Sequence, residues 1–491
     1  MNFNLVCLAI VVVLCLGVVV RYRRIPLAEG FVLFIAGFGE LLFPVINGVL
    51  ALGFWFALIG IPGWLLGGMT SALVCGDYLN AARKGRWVGR LHPYKRWRER
   101  ARGVCSLADS VRGDGMRGAA EHTASELRLL NDLDRGALAG EWRVVTSLAQ
   151  TVIRGGAREA TPLILYLRAL GELGELTKLD YEFLAVERAL GGEARAMARL
   201  LVGAFHGEAV LVRCITEEHL AAMHPDLKRF WIATALELCG NREEAARGYE
   251  ALSASSIPGI RESVHRRLAE AAAPAPPLRP ELRAYIGAAV EDESRYGDTA
   301  GAVGPATNLL FWLIAGVFAV ELIVGQGALF FEWGAFWPTG ILVGGEWWRI
   351  ITPLFLHLGV AHVAFNALAL RSLGPFVERS LGVSRFLLVF FGAGCGGLLL
   401  ILLGVRYLGF EERIVVGASG SIMGLVGATG AILHCAALRE RSPVAHDRLR
   451  SIGVIIGLQV VFDILVPQTS AAAHLIGAAL GYLIGRVFYR R

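Results

Sequence analysis

Long apolar runs at the two ends of the chain enclose a middle stretch in which apolar and charged residues alternate. The runs cover residues 3–20, 28–75 and most of 307–488. A membrane-spanning helix needs roughly 20 apolar residues. Residues 3–20 therefore supply one span. The stretch 28–75 is long enough for two spans broken near residues 44–48, or for one span and a re-entrant piece. Beyond residue 306 the pattern predicts six apolar segments, at 307–325, 350–373, 386–403, 415–438, 452–466 and 471–488. Within 103–270 apolar residues recur at helical spacing, as in Leu127, Leu129, Leu130 and Leu133. The expected fold is all-α: a polytopic membrane protein with N-terminal transmembrane helices, a helical-repeat block and a six-helix bundle.

The helical block has one segment with a more specific pattern. Residues 231–252 place Ala233, Gly240, Ala245, Tyr249 and Leu252 at offsets resembling a tetratricopeptide repeat, with Pro258 near the expected end. Small residues at such offsets let paired helices approach, and the aromatic fills the groove between them. A single repeat cannot bury its own face, so neighbouring hairpins are expected, although no second clean copy is legible. Pro274, Pro276, Pro277 and Pro280 then interrupt the helical pattern. The resulting expectation is an anchor at 1–80, a basic juxtamembrane segment at 81–102, a tetratricopeptide-like domain at 103–270, a Pro/Ala/Gly-rich linker at 271–305 and the six-helix unit at 306–491.

Composition agrees with the pattern. Of 491 residues, 55% are hydrophobic and 18% charged, against about 25% charged in soluble domains. The net charge of +6 is small, and its placement carries the information. Arg21, Arg23 and Arg24 follow the first run, and a basic stretch from Arg83 to Arg102 follows the second. That stretch also holds Trp87, Tyr94 and Trp97, a mixture that can bind nucleic acid. Directly after a membrane segment it reads instead as a cytoplasmic anchor facing anionic lipid, and no nucleic-acid partner is expected. In the six-segment unit, Arg379 and Arg385, then Arg439, Arg441, Arg448 and Arg450, then Arg490 and Arg491 fall on one side of a six-span topology. By the positive-inside rule that side is cytoplasmic, and the helical block with it. The N-terminus has no basic start and no evident cleavage site, so it reads as a retained anchor. Eight cysteines without a Cys-x-x-Cys spacing indicate neither a disulfide framework nor a zinc site.

The candidate chemistry lies in the six-segment unit. Gly417-Ala418-Ser419-Gly420 opens the fourth segment and His474 begins the sixth, both from the outer side. Polar residues at membrane depth are costly and mark functional sites. Ser419 at a helix N-terminus sits beside unpaired backbone N–H groups, which suit an oxyanion. Gly417 and Gly420 permit a tight entry turn. Gly420, Gly424 and Gly427 make a smooth face, and Gly477 and Gly481 give the sixth helix another, so the two can pack closely. The His474 imidazole would then take the Ser419 proton. His362 and Asn366, spaced i, i+4 on the second segment, share a face and can both donate hydrogen bonds. His357, five residues before His362, lies on a different face of a straight helix.

Together these stretches resemble the rhomboid family of intramembrane serine proteases. The matching motifs are Gly345-Glu346-Trp347-Trp348-Arg349, then His357-x4-His362-x3-Asn366, Gly374-x3-Glu378-x3-Gly382, Gly417-Ala418-Ser419-Gly420 and Ala473-His474-x2-Gly477-x3-Gly481. The resemblance implies a Ser–His dyad with Ser419 as nucleophile and His474 as general base. His362, Asn366 and the Ser419 backbone N–H would be the oxyanion donors. It also implies that Trp348 and Arg349 shape the first loop near the site, and that Glu378 is a structural loop residue. It further implies substrates that are single-pass membrane proteins, cut within or near the lipid bilayer. No cofactor and no metal is expected: an H-E-x-x-H helix and the nucleotide-binding fingerprints are missing from the sequence.

Asp463, late in the fifth segment, reads as a polar contact near the outer interface rather than a third catalytic member, because the family works as a dyad. Two alternatives stand beside the protease: a non-catalytic rhomboid-like binder of membrane helices, and a scaffold whose repeat block recruits a cytoplasmic protein partner. The expected location is a bacterial inner membrane, with the repeat block in the cytoplasm.

Overall fold

A computed structural model describes residues 59–111, 125–155, 160–255, 257–269, 272–297, 304–324, 327–411, 413–465 and 470–489. The expectations for the first run, and for most of the second, lie outside these residues. Among the described residues the chain divides into two compact units, 59–291 and 292–489. The only strand-like pairing among the described residues is an isolated bridge between Phe336 and Val415. Everything else that is regular is helix, as the sequence pattern predicts.

The first unit is built from short amphipathic helices joined by tight turns. Ile61–Val74 is apolar but only 14 residues long, and it packs with Tyr78–Leu91 and Lys95–Val111 around Met69, Ala81, Val88 and Val104. The basic segment after residue 80 is therefore helical. Arg100 turns inward onto Asp134 at 2.7 Å, with both side chains 1% exposed.

From residue 125 onward a hairpin recurs. Gly140, Gly174, Gly207 and Gly240, each 33 or 34 residues after the last, all have positive φ, between 71° and 92°. Each sits in the turn between a helix and its successor. In each turn the residue after the glycine donates its N–H to a carbonyl five residues back: Glu141 to Gly136, Glu175 to Leu170, Glu208 to Gly203 and Asn241 to Leu236, at 2.8–2.9 Å. This is the left-handed helix stop that glycine makes without a Cβ penalty. Four turns thus share the geometry of the single hairpin legible in the sequence. At that hairpin Ala233, Ala245, Tyr249 and Leu252 are all buried, and Tyr249 donates to Glu237 at 2.8 Å.

The expected linker at 271–305 is in part a structured segment. Residues 272–279 run extended over the helices: Ala275 N–H donates to Leu238 O at 2.9 Å, and His206 Nδ1 meets Pro276 O at 3.0 Å. Pro280–Tyr296 is then a helix. Proline is tolerated at the first helical position because that N–H has no intrahelical partner. Leu282, Ile286 and Val290, four residues apart, lie in the unit's core. In the sequence the preceding prolines mask that apolar stripe.

Among the described residues the second unit contains six long helices: α1 (Pro305–Val324), α2 (Val360–Leu381), α3 (Val383–Leu408), α4 (Ser419–Cys435), α5 (Pro443–Leu465) and α6 (Ala471–Phe488). Among the described residues four segments are long and apolar enough to cross a membrane by composition: α1, α3, α4 with the turn that extends it to Glu440, and α6. The helices α2 and α5 carry more polar residues but have comparable length. Two helix starts differ most from the apolar pattern. The second helix starts at Val360 rather than near residue 350, because Thr352–Phe355 makes a separate 3-10 turn. The fifth begins at Pro443, because its first two turns are charged yet still helical.

Candidate active site

Glycine brings α4 and α6 together. A Cβ on Gly477 would overlap the carbonyl oxygen of Gly420, one on Gly481 that of Gly424, and one on Gly427 that of Ala478. A Cβ on Gly485 would lie 2.9 Å from Ala428 Cα. The contacts advance in step along both helices, so α4 and α6 run parallel with backbones touching. The helix α3 runs the other way along the pair: a Cβ on Gly396 would lie 3.2 Å from Leu480, and one on Gly392 3.1 Å from Ile484.

Parallel packing puts the N-termini of α4 and α6 side by side, and these carry the two residues of interest. Ser419 is the first residue of α4, and His474 lies in the first turn of α6. Ser470 caps that turn through its side chain, which accepts the Ala473 N–H. Ser419 Oγ lies 2.9 Å from His474 Nε2. His474 is 5% exposed, whereas Ser419 is only partly buried.

The turn before Ser419 is fixed on two sides. Phe336 and Val415 exchange backbone hydrogen bonds at 3.0 and 3.2 Å, and Gly417 N–H donates to Pro353 O at 2.8 Å. Gly417 has φ 117°, and a Cβ there would lie 2.6 Å from His362 Cε1 and 3.7 Å from Asn366 Nδ2. Both α2 side chains thus converge on the backbone two residues before Ser419. Asn366 is 6% exposed, and its Nδ2 finds no hydrogen-bond acceptor among the described residues. A buried, unpaired donor is costly to maintain, and this one borders the serine's turn.

His357 differs from its expected place. It precedes α2 instead of lying on it, so the helical-wheel argument does not apply. Its ring packs edge-on against His362 with centroids 5.0 Å apart, and its Nδ1 meets Phe355 O at 3.2 Å.

Arg349 is 4% exposed. Its guanidinium donates to Ala335 O at 2.9 Å and also to Glu332 O, pairs with Glu346, and stacks 5.6 Å from the Trp337 ring. A planar fork with several donors suits this stapling of a loop. Trp348 is half exposed and donates its indole N–H to Trp333 O at 2.9 Å. Glu378 lies in the last turn of α2, not in a loop. Its carboxylate accepts from the Ala306 N–H, the Thr307 N–H and the Thr307 hydroxyl at 2.7–2.9 Å, capping the start of α1.

One contact of the histidine is not legible in the sequence. Both carboxylate oxygens of Asp463 lie 2.9 Å from His474 Nδ1, and the two side chains are each 6% exposed. Gln459, one turn earlier on α5, donates to Asp463 Oδ1 at 2.9 Å. The available signal was Gln459 and Asp463 at i, i+4 on a helix whose second half is otherwise apolar.

Comparison with known proteins gives a consistent picture. A model of the rhomboid domain matches residues 344–491. The chain is 37% identical over 183 residues to a protein of Bacillus subtilis called rhomboid protease GluP, covering 37% of this chain and 32% of that one. It is 33% identical over 149 residues to the putative rhomboid protease YdcA of the same organism, covering 30% of this chain and 71% of YdcA. It is 30% identical over 141 residues to a rhomboid-type serine protease 2 of Emericella nidulans, covering 26% of that protein.

Proposed function

This chain belongs to the rhomboid family, and on that premise we propose that it is an intramembrane serine endopeptidase with Ser419 as nucleophile and His474 as general base. The observation that carries the reading is the 2.9 Å contact between Ser419 Oγ and His474 Nε2 at the shared end of two close-packed helices.

The chemistry follows from the groups at hand. The imidazole takes the hydroxyl proton as Oγ attacks a peptide carbonyl, and the tetrahedral intermediate places negative charge on the former carbonyl oxygen. Asn366, His362 and the first-turn N–H of Ser419 border one small volume, where preorganised donors stabilise that charge. The imidazolium then gives its proton to the leaving amine, and water releases the acyl group by the reverse sequence. The loop stapled by Arg349 flanks the turn of Ser419 through the Phe336–Val415 bridge. The substrates would be single-pass membrane proteins, since a site at membrane depth meets chains that are themselves in the bilayer.

In this reading the α2–α3 and α4–α5 turns face the cytoplasm of a bacterial inner membrane and Ser419 lies towards the outer side; the arginines of those turns support it by the positive-inside rule. The recurring hairpins of 33 or 34 residues match the tetratricopeptide period, and stacks of that kind bind peptides on a concave face. The first unit would serve as a cytoplasmic docking block.

The test is fluorophosphonate labelling of the detergent-solubilised full chain. Wild type should label stoichiometrically, and Ser419→Ala should not label. Labelling that persists unchanged in Ser419→Ala would overturn the assignment. Absence of any labelling or cleavage in a folded wild-type chain would favour a non-catalytic binder of membrane helices.

A further inference from the structure

We propose that Asp463 is a positioning residue for His474, making the catalytic arrangement of this chain a Ser419–His474–Asp463 line rather than a pair. The inference rests on the protease reading above and deepens it.

The geometry is that of a base held from behind. Ser419 Oγ meets Nε2 at 2.9 Å, and the Asp463 carboxylate meets Nδ1 at 2.9 Å with both oxygens. A neutral imidazole has one N–H and one bare nitrogen. To accept the Ser419 proton, Nε2 must be bare, so Nδ1 must carry the hydrogen. Two groups near Nδ1 compete to decide this. The Gln459 carboxamide nitrogen lies 3.2 Å away and can only donate, which would leave the hydrogen on Nε2 and silence the base. The carboxylate can only accept, and it is closer. Charge-assisted hydrogen bonds are roughly twice as strong as neutral ones, so Asp463 wins and fixes the productive tautomer. Gln459 then turns its N–H onto Asp463 Oδ1 at 2.9 Å and steadies the carboxylate.

When Ser419 attacks, the Oγ–H bond breaks, the Oγ–C bond forms and Nε2 takes the proton. The positive charge so created lies against the Asp463 carboxylate in a site from which water is largely excluded. No proton passes to Asp463. It stays ionised and holds the ring, and the proton returns from Nε2 to the leaving amine.

The sequence of variants separates this role from a merely structural one. In Asp463→Asn, Gln459 would attract the new carbonyl oxygen and turn the new NH2 towards Nδ1, enforcing the wrong tautomer. Asparagine is nevertheless the better space-filler. Tautomer control predicts that kcat falls in the order wild type, Asp463→Glu, Asp463→Ala, Asp463→Asn, with KM little changed. A packing role predicts that Asp463→Asn is the mildest of the three. Replacing the corresponding aspartate of a serine-protease triad by asparagine costs about 10⁴-fold in kcat, and a loss of at least about 100-fold is expected here. The measurement is steady-state cleavage of a model transmembrane substrate together with the fluorophosphonate labelling rate, on full-length variants whose melting temperatures are recorded. The three-variant order remains readable if one variant does not fold. Asp463→Asn within about threefold of wild type, a milder effect for asparagine than for alanine, or a change confined to KM would each overturn the proposal. Wild-type cleavage abolished by Ser419→Ala in the same experiment keeps failure of this inference distinct from failure of the protease reading.

Discussion

Asn366 has a buried carboxamide nitrogen with no acceptor among the described residues. A group held that way is compensated only when charge appears beside it. Removing it should therefore act on the transition state and leave substrate binding alone. Asn366→Ala is expected to lower kcat by about 10²–10³-fold, the usual cost of one oxyanion donor, at nearly constant KM in a model-substrate assay. Gly417 sets a second residue-scale limit. Its φ of 117° and the 2.6 Å from a hypothetical Cβ to His362 leave no room for a side chain. Gly417→Ala should abolish labelling of Ser419 more completely than it lowers the melting temperature. At this scale the sequence was highly legible where residue type and spacing carry the chemistry: Ser419, His474, His362 and Asn366 stand out as polar residues in apolar runs. Asp463 stood out equally, but nothing in a one-dimensional string says which neighbour a lone carboxylate on α5 meets across a turn. His357 is a related case, since a helical phase has no meaning for a residue three positions before the helix begins at Val360.

Among the elements, the seam between α4 and α6 decides whether the serine and the histidine meet. Gly481 lies against the bare backbone of Gly424, and Gly485 against the Cα and methyl of Ala428. Gly481→Leu should force the helices apart and remove labelling, even where the chain still inserts. By contrast, Gly453 and Gly457 on α5 have nothing within 4 Å of a hypothetical Cβ. Gly457→Ala should leave both labelling and melting within error, and the paired comparison checks that the effect belongs to the seam and not to glycine content. The small-xxx-small spacing made this contact foreseeable. The start of α5 was not, because charged first turns look like loop to an apolar filter, although a helix needs only backbone hydrogen bonds there.

For the whole molecule, each unit has its own core: residues from Val74 to Val290 in one and from Tyr296 to Tyr489 in the other. A fault buried in one should therefore be measurable apart from the chemistry of the other. Asp134→Ala removes the carboxylate 2.7 Å from the buried Arg100 guanidinium, whose charge then faces the neutral Asn131 Oδ1 at 3.1 Å instead of an anion. Removing one member of a buried ion pair typically costs about 3–5 kcal/mol. The expected outcome is a clear loss in the melting of the helical unit, read by limited proteolysis within 125–269, while fluorophosphonate labelling of Ser419 persists. One copy of the recurring hairpin is legible in the sequence because what its turns share is short: a glycine, followed by glutamate in three of the four. A Gly-Glu pair at a helix end is too common to carry a repeat by itself. The shared backbone geometry of the turns is what makes the repeat plain.

The glycine seam has a consequence for how the proposed chemistry at Ser419 can be tuned. Where two backbones touch directly there is no layer of side chains to compress, swap or repack, so the α4–α6 pair behaves as one stiff spine. Adaptation to a new substrate or a thicker bilayer has little purchase on that spine. It must work through the parts that lean on it: the hydrogen-bonding face of α2, the stapled first loop, and the glycine-open surface of α5.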